Sequence, residues 1–272
     1  MKLKTLNLFI LCIIICLTTL ASTNFLIESI LIQPSSGSSN FEIEIIDYAT
    51  GGDVNKNSRI FSFMPKNNLT NQIISKSKNG TPLITMGSGE PKVMIIAGVH
   101  GEELPSQIAA IMLINNLKDK KLKGTVYIIP FTIPAATELC TRDYCGIDPN
   151  RAAETPGTPT WVLLNFALTH KIKYAADFHS TQPGGNPGKK VVMSSKDILY
   201  ESFSIADFMS RETGSEITCH SVNPGALKNV FNSNGIPSVS AEVISCHGEA
   251  DLKSINESYE QMISFLKYSG IL

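Results

Sequence analysis

The chain has 272 residues, 43% of them hydrophobic and 17% charged, enough to bury a substantial core in one α/β domain with N-terminal additions. Its 23 Lys and Arg against 24 Asp and Glu give a formal charge of -1, which becomes about -3 without Lys2 and Lys4. Neither value fits a nucleic-acid partner, which needs a basic patch to neutralise phosphates.

Residues 1–21 begin with Lys2 and Lys4, continue through LNLFILCIIICLTTL and reach the small residues Ala21, Ser22 and Thr23, the layout of a signal sequence. The apolar run is shorter than the roughly 20 residues of a spanning helix, but FLIESILI soon follows. The segment is therefore expected either as a cleaved signal or as a retained membrane anchor. Both readings leave the lysines inside and put the rest of the chain outside the cell or anchored facing outside. Residues 22–72 are expected to form a stalk with N-terminal strands: QPSSGSSN is polar and low in complexity, whereas FEIEII alternates like a strand. ISKSKNGTPLITMG, with two β-capable runs around Lys-Asn-Gly, predicts a hairpin. The main domain is expected from 73 to 272.

From residue 92 strands and helices alternate. KVMIIAG reads as a buried strand, and LPSQIAAIMLINNLKDK as a helix with Leu104, Ile108, Ile111 and Met112 on one face. GTVYIIPF, YAADFH, KVVMSS and PSVSAEV read as further strands, and TWVLLNFALTH and LYESFSIADFMSRET as helices. A last helix over about 251–268 places Leu252, Ile255, Tyr259, Met262 and Leu266 together. This alternation predicts an α/β fold with a mixed, largely parallel central sheet flanked by helices, its chemistry at the strand ends.

His100 and Glu103 stand three residues apart just after the first apolar strand, where Pro105 helps a helix to begin. At a helix start that spacing lets an imidazole and a carboxylate reach one cation, although the pair by itself also suits a solvated helix start. A second histidine, His179, closes the strand YAADFH ahead of a glycine-rich loop. Two histidines and one glutamate make a zinc set with an open coordination position. The loop Pro183–Gly188 lacks the lysine and helix of a phosphate loop and is expected to border the site as a mobile segment. His170, His220 and His247 are expected to be ordinary surface or loop histidines.

HGEE after an apolar strand, then DPNR, then DFHST, then a late SAEV, in that order, resembles the succinylglutamate desuccinylase/aspartoacylase family of the zinc carboxypeptidase superfamily. The resemblance runs from about Ile74 to the end of the last helix. It implies a zinc carboxypeptidase-like fold with one Zn2+ per chain on His100, Glu103 and His179. It further implies that Asn150 and Arg151 bind a substrate carboxylate, a task that suits a planar guanidinium. Arg142 resembles the arginine that polarises the scissile carbonyl, although one extra residue separates it from the DPNR stretch. Asp148 resembles the carboxylate that orients a ligand histidine. Glu242 matches the general base and acid, and a carboxyl on a run of small and β-branched residues should be poorly solvated and high in pKa.

Four cysteines lie outside the export segment, and four allow three pairings. An oxidising exterior favours Cys140 with Cys145 and Cys219 with Cys246. Since Cys219 and Cys246 each precede a histidine, a second metal site is the rival reading.

These features predict a zinc-dependent hydrolase outside the cytoplasm, cleaving an amide next to a carboxylate-bearing group. The substrate is expected to be an N-acyl amino acid or a peptide. Only residues 243–272 follow Glu242, too few for the additional C-terminal β domain of the deacylases, so an open channel admitting peptides is expected. The alternative is a non-catalytic zinc-binding surface protein of the same fold.

Overall fold

A computed structural model describes residues 41–219 and 221–272 of the chain. The unbroken apolar runs lie in mid-sheet, where both faces are covered. Strand β3 (Lys92–Ala97) sends Val93, Ile95 and Ala97 into one core and Met94 and Ile96 into another, following the two-residue period of extended backbone. Its neighbours β4 (Gly124–Ile129) and β5 (Tyr174–Thr181) run parallel to it and are buried along their whole length. Strand β8 (Ser238–Ile244) continues the parallel set beside β5. Outside it lie β6 (Val191–Met193), antiparallel to β8, and β7 (Glu216–Thr218), parallel to β6. On the other side, β2 (Thr81–Ser88) pairs antiparallel with β4 and with the edge strand β1 (Phe41–Asp47). The eight-stranded order is β1-β2-β4-β3-β5-β8-β6-β7.

A short helix α1 (Ser58–Phe63) precedes α2 (Asn68–Ser77), and α3 (Leu104–Leu117) follows β3. Next come α4 (Pro134–Leu139), α5 (Pro159–His170), α6 (Tyr200–Thr213), α7 (Leu227–Ser233) and α8 (Leu252–Tyr268). Helices α2, α3, α6 and α8 pack on one face of the sheet, and α5 and α7 on the other. This is the layered arrangement that the alternation in the sequence predicts.

Three expectations are corrected. The run before Lys-Asn-Gly belongs to helix α2, not to a hairpin: Asn67 caps it by accepting from Thr70 N at 3.0 Å, and Leu69, Ile73 and Ile74 bury one helical face. Helical spacing of those apolar residues outweighs their β propensity, and β2 pairs instead with β1. Residues 41–72 therefore do not form a stalk, because β1, α1 and α2 join the main core. Leu252 also departs from its expected place, being 68% exposed at the first turn of α8, beyond the edge of the core. The export segment, Cys12, Cys16 and His220 lie outside the described residues. No described helix is long and apolar enough to cross a membrane.

Candidate metal centre and active site

Strands β3, β5 and β8 are parallel neighbours, so their C-terminal ends open at the same rim. The chain leaves β3 through Gly98, whose φ of 71° suits glycine, and reverses so that Glu103 N donates to His100 O at 3.3 Å. Gly101 passes so close to α4 that a Cβ there would stand 2.0 Å from the carbonyl carbon of Ala136. Helix α3 then starts with a proline in its first turn. This tight turn brings His100 and Glu103 together, with His100 Nδ1 2.8 Å from Glu103 Oε1.

From β5, His179 Nδ1 lies 2.7 Å from Glu103 Oε2, and the backbone N–H of Ser180 donates to the same oxygen at 3.1 Å. His100, Glu103 and His179 each offer a ligand atom within 4.8 Å of the others, and all three are buried. Burial opposes the charge on Glu103, yet the two imidazoles hold its carboxyl well below the usual range. Burial likewise works against His179, while the carboxylates of Glu103 and Asp177 hold its pKa well above the usual value. Two imidazoles and a deprotonated carboxylate converging in a buried pocket are the donor set of a zinc site with an open position, so these residues fit the metal.

Both imidazoles are oriented from behind. His100 Nε2 is 2.9 Å from Asp148 Oδ1, and His179 Nε2 is 2.8 Å from Asp177 Oδ2. Asp148 also receives Arg142 Nη2 at 2.9 Å and caps the DPNR turn through Asn150 N at 2.9 Å. Arg142 Nη1 reaches to 3.5 Å from Glu103 Oε1, at the metal cluster itself. Asn150 Oδ1 accepts from Leu227 N at 2.9 Å, which docks the turn on the start of α7, and the more exposed Arg151 donates to Asn150 O at 2.6 Å. Glu242, level with His179 across β5 and β8, has a buried Oε2 that meets no hydrogen-bond donor. Burial, with the charge of Glu103, pushes its carboxyl up to about 8.

The catalytic-domain model of the succinylglutamate desuccinylase/aspartoacylase family matches residues 89–268, a span that carries every site residue named above. The chain belongs to that family. A succinylglutamate desuccinylase/aspartoacylase from Rhodobacter sphaeroides superposes with a TM-score of 0.53 at 21% identity, over 72% of this chain and 62% of that one. The product-bound ectoine utilization protein of Ruegeria pomeroyi gives 0.57 at 19% identity, over 72% and 63%. A metallo-carboxypeptidase from Burkholderia cenocepacia gives 0.58 at 12% identity, over 84% and 64%. These likenesses bear on the fold, which is the mixed α/β fold of the zinc carboxypeptidases. The chain spans less than two thirds of the length of each of these three. No curated protein sequence matches it.

The family's motif residues line one cavity of about 700 Å3, to which His100, Glu103, Arg142, Asn150, Arg151, His179 and Glu242 all contribute. The loop 182–187 borders it. Sequence reasoning passed over three further residues. Asp177 is 1% exposed and shares with His179 a side of β5, a placement already implied by the two-residue spacing within DFH. His247, in a loop, lines the cavity, and its Nδ1 lies 2.7 Å from Glu102 Oε1 and 2.8 Å from the side-chain amide of Gln182. Lys228, on α7, also lines the cavity, and no local motif marks it. His170 stacks on Phe166, with ring centroids 3.8 Å apart.

The expected disulfides are absent: Cys140, Cys145, Cys219 and Cys246 are all free. Cys140 sits at the left-handed C-cap of α4 and turns its Sγ towards Gly248 instead of Cys145. Neither Cys219 nor Cys246 joins a metal cluster among the described residues.

Proposed function

We propose that the chain is a zinc-dependent hydrolase that cleaves an amide bond beside a carboxylate, on an N-acyl amino acid or at the C-terminus of a peptide. The observation that carries this reading is Glu242: a half-buried side chain with a buried, unpartnered Oε2, lining the same cavity as the His100, Glu103 and His179 donors. Leaving such a group unpaired costs about 1–3 kcal/mol, a cost with no structural return, and this weighs against a purely zinc-binding role.

A zinc ion held by His100, Glu103 and His179 would polarise a carbonyl and bring the pKa of a water towards about 7. Glu242 takes a proton from the attacking water and returns it to the leaving nitrogen. Burial, which disfavours the charged carboxylate, helps such a group to take up a proton and pass it on. Arg142, anchored by Asp148, places a guanidinium where negative charge develops on the carbonyl oxygen. Arg151, more exposed at the rim beside Asn150, holds the substrate carboxylate.

The N-terminal layout of residues 1–21 supports action outside the cytoplasm, either secreted or anchored facing outside, with membrane attachment through that segment. Cell fractionation with protease protection tests this, and a protected cytoplasmic pool would overturn it. The chemistry is tested by supplying zinc to the full chain and assaying N-acyl amino acids beside peptides with free and amidated C-termini. Hydrolysis only where a free carboxylate is present is expected. Equal cleavage of amidated peptides would remove Arg151 from its role, and no cleavage of either class would remove the function.

A further inference from the structure

Helix α3 begins at Glu103, with φ of -92° and ψ of 77°, yet the side chain there makes no capping bond, because its carboxylate is committed to the two imidazoles. An Asp, Ser or Thr at such a position would satisfy the first N–H groups of the helix and fix the turn before it. The turn 100–103 must be held in another way, and its four carbonyls show which. Glu102 O accepts from Gly248 N at 2.7 Å. The other three converge on one side chain. Gln107, one helical turn beyond Glu103 on the same face of α3, points its Nε2 at His100 O, Gly101 O and Glu103 O, at 3.4, 3.2 and 3.1 Å.

That amide can sit only one way round. Carbonyl oxygens accept and cannot donate, so the nitrogen must face them, and Oε1 then receives the hydroxyl of Thr137 at 2.8 Å. Gln107 and Thr137 are both fully buried, so neither end of the amide turns to solvent. The chain makes room for it: a Cβ on Gly98 would stand 3.2 Å from Gln107 Cδ. Elsewhere this stretch of α3 is apolar, with Leu104, Ile108 and Ile111 in the core, and an apolar side chain of the same volume would pack there as well. The amide instead ties α3, the metal turn and α4 to one another.

We propose that Gln107 is a positioning residue for the metal centre: by fixing the carbonyls of His100, Gly101 and Glu103 it holds both ligands of the turn converged before a metal arrives. It acts through the backbone, from outside the cavity lining. The proposal rests on the reading of His100, Glu103 and His179 as a zinc set. A ligand loop that has to be ordered at the moment of binding loses affinity by that ordering, and a preformed one does not.

Zinc affinity of the full chain, read by competition with a chelator at a temperature where melts show each protein folded, tests this. Gln107→Met keeps the volume and removes the donor, and affinity is expected to fall about 10- to 100-fold. Thr137→Val frees Oε1 and should lose less, about 3- to 10-fold. Asn115 lies about two turns further along α3, where it donates to Thr70 Oγ1 and Ile111 O. Asn115→Leu should therefore lower Tm and leave zinc affinity at the parent's value. The rise in Tm on adding zinc should rank the four proteins in the same order. Zinc held as tightly by Gln107→Met as by the parent would overturn the positioning role and leave the metal centre standing. So would an unchanged affinity in Thr137→Val, should the methionine variant not fold. A loss of equal size in Asn115→Leu would reduce Gln107 to a support of the fold. A parent chain that binds no zinc would instead bring down the metal reading, and this role with it.

Discussion

At one end of the cavity His100, Glu103, His179, Asp148 and Asp177 pair with one another at 2.7–2.9 Å, charge against opposite charge. Elsewhere on the cavity lining Lys228 donates to Ser194 O, Ser195 Oγ and Asn229 Oδ1. The first end is organised around a shared central point and has oriented rings, which is what a cation requires. The second is a buried lysine anchored from several sides, on which the charges of Asp177 and Asp197 also act. One cavity thus combines donors that converge on a point with a cation that is fixed in its wall.

The largest effect should come from the first end. His179→Ala removes one of three donors, so zinc retention after dialysis and hydrolysis should both fall to background, as metal analysis and the amide assay would read. Full zinc content in that variant would dissolve the contrast, since the paired end would then not be the metal end. Next comes Glu242→Gln, which keeps shape and removes the proton acceptor. Zinc should stay bound while kcat falls by about 10²- to 10⁴-fold. Turnover near that of the parent would leave the buried Oε2 of Glu242 without a role.

A smaller loss is expected from Asp177→Asn. The amide can still receive a hydrogen bond from His179 Nε2, but it no longer stabilises positive character on the ring. Zinc affinity should drop by about 10- to 100-fold, measurable by competition with a chelator. An unchanged affinity would make Asp177 part of the β5–β8 packing alone, tied there by its bond from Ser240 Oγ.

The same two ends explain what the sequence could tell. The metal end is written in short spacings: three residues separate His100 from Glu103, two separate Asp177 from His179, and DPNR is contiguous. Each fixes a local geometry at a turn or a strand end, so the motifs and the parallel sheet were both readable. The lysine wall is drawn from β6, β7 and α7, which meet only because β6 crosses antiparallel beside β8. No local period encodes that meeting, and helix α7 itself, seven residues long, passed unseen. The hairpin misread at Lys-Asn-Gly has the same origin. A helical face is apparent there only once the core it covers is known.

The smallest effect, and the one that separates the ends most cleanly, concerns stability. The difference between the ordinary lysine value of 10.5 and about 8 corresponds to roughly 3 kcal/mol of cost for holding the charge in the folded chain at neutral pH. Lys228→Met removes that cost and keeps the volume, while giving up hydrogen bonds worth about 1 kcal/mol each. With three such bonds lost the two contributions nearly cancel at pH 7, and Tm is expected to stay within a few degrees of the parent there. Between about 8 and 10.5 the folded lysine releases a proton that the unfolded chain still holds, so the parent gains stability as pH rises and the methionine variant falls behind it. Melts at pH 7 and 9.5 read this directly. A variant destabilised equally at both would make Lys228 a structural strut, whereas one level with the parent at pH 7 and less stable at 9.5 marks a charge kept at a cost to the fold.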